Sequence, residues 1–131
     1  MVPALEVITR VYYGARWLHR EVVDIVEQLG GRYRIGLLSN ASSRLERWLI
    51  DPLGIRHLFD IVVISAIEGV AKPNPLAFEL ALQRLGVAPD EALFVDDLTR
   101  NTAAAASLGM DTITFTTPLD LHHQLEHRGL L

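Results

Sequence analysis

A few polar residues in this 131-residue chain have the types and the order that phosphate chemistry needs. They are Ser39 with Asn40, then Lys72, then the pair Asp96-Asp97, and then Asn101. A hydroxyl group and the N–H groups at a helix start can bind phosphoryl oxygens, and a lysine offsets negative charge. Mg²⁺ prefers oxygen ligands and usually binds through one or two carboxylates together with phosphate and water. A bound Mg²⁺ would lower the repulsion between an anionic attacking group and an anionic substrate.

The apolar runs of the chain must bring these residues together. Their patterns predict strands over 33–38, 61–64, 92–95 and 112–115, and helices over 14–29, 42–50, 74–86, 103–109 and 119–127, the last of them polar and exposed. Strands that alternate with helices imply right-handed crossovers and a parallel sheet, whose ligands bind beyond the carboxyl ends of the strands. The sequence therefore predicts an α/β fold, a Rossmann-like parallel sheet sandwiched by helices, with the polar residues at one edge.

The same residues resemble the motifs of a known family. In order, Leu37-Leu38-Ser39-Asn40, Lys72-Pro73 and Phe94-Val95-Asp96-Asp97 with Asn101 resemble the second, third and fourth motifs of the haloacid dehalogenase (HAD) superfamily. The stretch from Gly69 to Met110 looks especially like the branch that contains small sugar-phosphate phosphatases. The resemblance implies Mg²⁺-dependent hydrolysis of a small phosphomonoester through an aspartyl-phosphate.

The resemblance also implies a role for each matched residue. Ser39 would hydrogen-bond the transferring phosphoryl group, with Asn40 beside it in the substrate site. Lys72 would stabilise the nucleophile and the charge of the phosphoryl group. The implied metal site consists of Asp97 as the acidic Mg²⁺ ligand, Asp96 as its neighbour and Asn101 as a residue that supports the metal shell.

The family's first motif, an Asp-x-Asp at the end of a strand, does not occur in this chain. In the family its first aspartate attacks phosphorus, and its second acts as general acid and base. Residues 1–13 look instead like the remnant of a helical cap, with Leu5, Ile8 and Tyr12 at helical spacing. Residues 14–131 would then form an incomplete HAD-like core.

The strand that carries the first motif lies, in the family, between the strands that end at Ser39 and Asp96. We therefore expect the central nucleophile strand to be missing from the sheet. Two strands without a hydrogen-bonding partner would expose edges that favour aggregation, so we expect marginal stability for the isolated monomer. We also expect no turnover by this chain alone.

Three functions stay open on these motifs. The first is a phosphatase whose sequence is truncated at its N-terminus. The second is a non-catalytic relative that binds phosphate or a protein and self-associates. The third is a split enzyme completed by an N-terminal segment on another polypeptide. Response-regulator receivers fit less well because their acidic residues precede the hydroxyl and the lysine, and Asp96-Asp97 disfavours the metal-free dehalogenases of the same family.

The amino-acid composition of the chain narrows the classes of molecule that it is expected to bind. The net charge of -4 argues against a nucleic-acid-binding surface. The absence of cysteine excludes disulfides and thiolate metal sites. No apolar stretch approaches the roughly 20 residues that span a bilayer. We expect a soluble, cytoplasmic protein that binds Mg²⁺ and a small phosphorylated metabolite. The identity of that metabolite is not encoded in the motifs, because in the family the cap shapes substrate choice.

Overall fold

Five parallel strands form one sheet in the computed structural model, which describes residues 4–7, 20–44, 54 and 56–131. The strands are β1 (Ala4–Val7), β2 (Ile35–Ser39), β3 (Ile61–Ile64), β4 (Ala92–Asp96) and β5 (Asp111–Thr114). Their order across the sheet is β3-β2-β1-β4-β5, and every neighbouring pair is parallel. The predicted α/β fold with a parallel sheet is confirmed.

Helices follow the strands along the chain. The described helices are α1 (Arg20–Gly30), α2 (Ser65–Glu68), α3 (Pro75–Leu85), α4 (Thr99–Ser107) and α5 (Pro118–His127), with 3₁₀ turns at Arg56–Leu58 and Pro89–Glu91. The short α2 and both turns were not predicted. Most of the helix predicted over 42–50, and the first residues of the one predicted over 14–29, lie outside the described residues. None of the described helices combines the length and the apolar character that crossing a bilayer requires.

The helices cover both faces of the sheet. Along β4, Leu93 and Val95 belong to a core with residues of α1 and α5, whereas Ala92 and Phe94 belong to a second core with residues of α3 and α4. The Phe94 ring meets the edge of the Phe78 ring, with 5.0 Å between the ring centroids. Because neighbouring residues of a strand point to opposite faces, both faces of β4 are apolar and buried.

The last helix is less exposed than its composition indicated. Leu121 and Leu125 of α5 are 1% and 0% exposed, so the prediction of an exposed helix is wrong. Their spacing places both leucines on one helical face, and that face packs into the core beside α1. At the end of α5, the hydrogen-bonded Arg128 guanidinium holds the pKa of the Asp111 carboxyl below its usual range.

The central position of the sheet is filled. Strand β1 pairs on one side with β2, Leu5 opposite Ile35, and on the other with β4, Leu5 opposite Leu93. The prediction of a missing central strand is therefore wrong, and so is the helical assignment of residues 4–7. The N–H and C=O groups of β2 and β4 need partners at this position, and pairing with β1 supplies them.

The central strand is present, but it lacks the first motif of the HAD family. No Asp-x-Asp follows β1 in the sequence. Because β1 pairs with both β2 and β4, these strands do not have the two open edges from which we expected marginal stability. Ile8 and Tyr12 lie outside the described residues, so the division between a cap remnant and a core at residues 13 and 14 stays a prediction.

Helix α3 begins and ends as its sequence predicts. The side chain of Asn74 accepts a hydrogen bond from the N–H of Leu76 at 3.0 Å, and Pro75 is the first helical residue. Gly86 ends the helix with a φ of 73°, a left-handed conformation that favours glycine. Asn74 follows Lys72 by two residues in the chain, and its side chain bonds the start of α3.

Replacing the cap tests this local structure. Asn74→Ala removes the acceptor for the Leu76 N–H, and we expect it to lower the free energy of unfolding by about 1 kcal/mol in urea denaturation. Asn74→Ser retains a capping oxygen and should stay close to the unsubstituted protein. Equal stability of the alanine and serine variants would contradict the assignment of the cap.

A proline in β1 tests the central strand. In a strand with neighbours on both sides each N–H faces one of them, so Glu6→Pro removes a ladder hydrogen bond. We expect a loss of roughly 2 kcal/mol or more in the free energy of unfolding. Glu6→Ala keeps the N–H and serves as the control. If the two variants unfold at the same urea concentration, β1 is not a central strand.

Candidate functional site

The predicted site residues meet at the carboxyl edge of the sheet. Ser39 is the last residue of β2 and Asp96 the last of β4, the two strands that flank β1. Lys72 follows β3 and α2, and Asn101 lies in the first turn of α4. Ser39 is 3% exposed and Asn101 2% exposed, so both are buried.

The Asp96 carboxylate is the centre of the cluster. Its Oδ2 atom accepts hydrogen bonds from Lys72 Nζ at 2.9 Å and from Asn101 Nδ2 at 3.0 Å. Its Oδ1 atom accepts a hydrogen bond from the Leu98 N–H at 2.9 Å. The Lys72 and Asp96 side chains are only 4% and 2% exposed. A buried charge is tolerated when it is paired and hydrogen-bonded, and here both conditions are met.

Further contacts hold the backbone of Lys72 and its ammonium group. Asn40 Nδ2 donates to the Lys72 carbonyl oxygen at 2.9 Å, and the Lys72 N–H donates to Asn40 Oδ1 at 2.9 Å. The Lys72 ammonium lies 5.8 Å from the centroid of the Phe94 ring, within the range of a cation–π contact. The Lys72–Pro73 peptide bond is cis. Lys72, which follows β3, thus links Asn40 after β2 with Asp96 at the end of β4.

A feature of the sequence other than its motif also singles out Lys72. The chain has eleven arginines and one lysine, and that lysine is the buried Lys72. An ammonium is a compact point charge, whereas a guanidinium is a planar group with five donors. All the other Lys and Arg positions of the chain are arginine, and the single lysine is the cation that is buried on a carboxylate.

The oxygen atoms near Asp96 fit a hard cation. Asp97, the next residue, is partly buried and offers a carboxylate. The Asn101 Oδ1 atom is buried and has no hydrogen-bond partner among the described residues. Amide and carboxylate oxygens are ligands that Mg²⁺ accepts. The described part of the chain contains no group of three or more His, Cys, Asp or Glu residues placed to hold a metal.

Both oxygen atoms of the Asp96 carboxylate are already engaged in hydrogen bonds. Asp96 was predicted as a neighbour of the metal ligand, and both of its oxygen atoms already accept hydrogen bonds from Lys72, Asn101 and the Leu98 N–H. A second cation close to Oδ2 would be repelled by the ammonium. These contacts favour Asp97 over Asp96 as the carboxylate ligand, and the metal assignment of all three residues stays a prediction.

Comparison with known proteins identifies the family. Residues 6–109 match the family model of the haloacid dehalogenase-like hydrolases. The chain belongs to this HAD-like hydrolase family.

Two curated HAD relatives come from Escherichia coli strain K12. Pyrimidine 5'-nucleotidase YjjG is 34% identical over 82% of this chain and 47% of its own length. Fructose-1-phosphate phosphatase YqaB is 34% identical over 70% of this chain and 49% of its own length.

A solved HAD structure supports the fold. A HAD family enzyme from Bacteroides thetaiotaomicron, in complex with magnesium and inorganic phosphate, superimposes with a TM-score of 0.67. It is 26% identical to this chain, over 74% of this chain and 52% of that one. This HAD-like chain spans about half the length of YjjG, of YqaB and of the Bacteroides enzyme.

Removing the lysine tests the energetic role of the buried pair. Lys72→Met leaves the Asp96 carboxylate buried without its cation, and we expect a loss of about 3 kcal/mol or more in the free energy of unfolding. The double variant Lys72→Met/Asp96→Asn, which buries no charge at this position, should be more stable than Lys72→Met alone. Both values come from urea denaturation at neutral pH.

The exposed ion pair of Arg84 and Glu68, with an N···O distance of 2.7 Å, provides the control. Arg84→Met should change stability little, because ion pairs near the surface contribute little. If Lys72→Met is as mild as Arg84→Met, Asp96 does not depend on the lysine for its burial.

Proposed function

We propose that this chain carries the phosphate-binding and magnesium-binding part of a HAD-type phosphomonoester hydrolase site. The observation that supports this best is the buried cluster of Lys72, Asp96 and Asn101 at the carboxyl edge of the sheet. A buried ammonium beside the strand ends is a suitable counter-charge for a phosphate dianion. Ser39 ends β2, which β1 separates from β4, and contributes a hydroxyl group at the same edge of the sheet.

In this proposal each residue has a distinct part. Ser39 donates its hydroxyl hydrogen to a phosphoryl oxygen, and Lys72 offsets the charge of the phosphoryl group. Asp97 would hold the Mg²⁺ ion, with Asn101 Oδ1 on the same side of the site. When bound, the ion would neutralise negative charge that phosphate brings next to carboxylates.

The nucleophile is the part that this sequence does not provide. Strand β1 occupies the sheet position between β2 and β4, yet no aspartate or glutamate occurs between Glu6 and Glu21. The segment that leaves β1 therefore offers no carboxylate that could attack phosphorus. We propose that this chain alone binds phosphate without turning over a phosphomonoester, and that turnover needs an Asp-x-Asp from elsewhere.

The substrate class follows from chemistry shared by the relatives. One relative is named a pyrimidine 5'-nucleotidase and the other a fructose-1-phosphate phosphatase. Both names describe a small molecule that carries a phosphomonoester, and the proposed substrate of the complete site is a metabolite of that class. A cytoplasmic location, with no nucleic-acid or membrane partner, stays part of the proposal as the sequence predicted it.

A second candidate function is a non-catalytic module that binds phosphate. It is favoured by the same β1, which completes the sheet from within the chain and so leaves no open strand position for a separate segment. A split enzyme requires instead that an added segment bearing Asp-x-Asp restores hydrolysis. Mixing the protein with such a segment and measuring hydrolysis of p-nitrophenyl phosphate separates the two.

Phosphate binding and turnover can be measured separately. We expect inorganic phosphate to bind in the presence of Mg²⁺ in isothermal titration calorimetry, and Ser39→Ala to weaken binding about tenfold through loss of a hydrogen bond to a charged group. Ser107→Ala is the matched control, because the Ser107 hydroxyl bonds the carbonyl oxygen of Ala103 within α4. Asp97→Asn should remove the dependence of binding on Mg²⁺.

No hydrolysis of p-nitrophenyl phosphate above the rate of the Asp97→Asn variant is expected. A Mg²⁺-dependent hydrolysis that this substitution abolishes would refute the absence of turnover. A protein that binds no phosphate at all would refute the proposed site.

A further inference from the structure

We propose that Asn40 is a positioning residue that sets the place of the Lys72 ammonium. Its motif position implies a contact with substrate, and in this proposal Asn40 makes no such contact. The inference rests on the proposed function for its relevance, since it concerns the lysine of that same site. Its evidence is independent of any ligand, because it consists of contacts within the chain.

The Asn40 amide is turned towards the backbone of Lys72. Its oxygen accepts the Lys72 N–H and its nitrogen donates to the Lys72 carbonyl oxygen, each at 2.9 Å. An amide side chain that bonds both groups of one residue imitates the pairing of a neighbouring strand. Asn40 is solvent-exposed, but its amide oxygen and one N–H are both directed at the Lys72 backbone, and these two contacts orient the amide.

The next residue, Ala41, is also held in place by hydrogen bonds. The Ala41 N–H donates to Ser65 Oγ at 3.0 Å, and Ser65 Oγ donates to the Ala41 carbonyl oxygen at 3.2 Å. The two residues after β2 are therefore tied to the segment after β3 by two successive reciprocal contacts. The backbone that carries Asn40 cannot shift without breaking the contacts of Ala41.

Lys72 is consequently held at both ends of its side chain. Asn40 fixes its backbone, and Asp96 fixes its ammonium at 2.9 Å. A four-carbon stem between two fixed ends leaves the charge little freedom, whereas a lysine with a free backbone could follow the loop away from the edge of the sheet. Small displacements of a charged group lower its contribution to binding and catalysis.

The single lysine of the chain makes the position of its ammonium observable. Protein labelled with ¹⁵N-lysine gives one side-chain Nζ resonance by NMR, and Asp96→Asn provides the reference for a released ammonium. We expect Asn40→Ala to move the Nζ resonance towards that reference. We also expect it to raise the Kd for inorganic phosphate about fivefold, the scale of one lost hydrogen bond. Asn40→Asp, which keeps the shape and the acceptor but loses the donor, should shift the resonance in the same direction.

Asn74→Ala is the matched control. It makes the same substitution two residues from Lys72 and removes a side-chain bond to the Leu76 N–H. We expect it to lower stability while it leaves the Nζ resonance and the Kd for phosphate unchanged. A resonance that moves equally in the Asn40 and Asn74 variants reflects general loosening of the loop and would overturn the inference.

The remaining outcomes separate this inference from the proposed function. If Asn40→Ala and Asn40→Asp weaken phosphate binding while the Nζ resonance stays in place, Asn40 contacts the phosphate directly and the positioning role is refuted. If the resonance moves but the unsubstituted protein binds no phosphate, the positioning role stands and the proposed function fails.

Discussion

The burial of one ion pair constrains the whole edge of the sheet where the site lies. Removing a carboxylate and an ammonium from water costs several kcal/mol per ion, and their mutual attraction offsets this only with good geometry and further hydrogen bonds. Asp96 obtains those bonds from Asn101 and from the Leu98 N–H, at 3.0 and 2.9 Å. The start of α4 and the end of β4 must therefore keep a fixed relation to Lys72.

The same constraint explains why residues far apart in the chain converge. Lys72 reaches Asp96 from the loop after β3, whereas β3 and β4 are separated in the sheet by β2 and β1. The link therefore spans the carboxyl end of β1, and Asn40 supports it from β2. Residues at or just after the ends of β2, β3 and β4 therefore set the geometry of this half of the site, although β1 separates β4 from the other two strands.

Elements with strong local signals were predictable from the sequence, and those decided by tertiary contacts were not. The capping residues of α3 and the β-branched run of β3 act locally, so both elements were found. Strand β1 has four residues and no period of its own, and its conformation depends on the backbone groups of β2 and β4. The two buried leucines of α5 were masked by the polar residues around them.

The residues of the candidate site came from motifs in the sequence, whereas the hydrogen bonds between them came only from the structure. The motifs named Lys72, Asp96 and Asn101, while the direction in which each side chain points had to come from the sheet. The alternation of β4 contained part of that information, since Asp96 lies two residues after Phe94 and so faces the same side as the ring beside the Lys72 ammonium. Nothing in the motif of Asn40 distinguished a contact to substrate from a contact to the lysine backbone.

The ion pair also gives the buried lysine a counter-charge within the described residues. In the family resemblance the lysine offsets the charge of an attacking aspartate, and a buried ammonium deprived of such a carboxylate would be costly. Here Asp96 supplies the negative charge from β4, within the described part of the chain. The charges of this half of the site are balanced independently of the residues after β1. The burial of the Lys72 ammonium therefore does not require a carboxylate from the segment that follows β1, because Asp96 pairs with it.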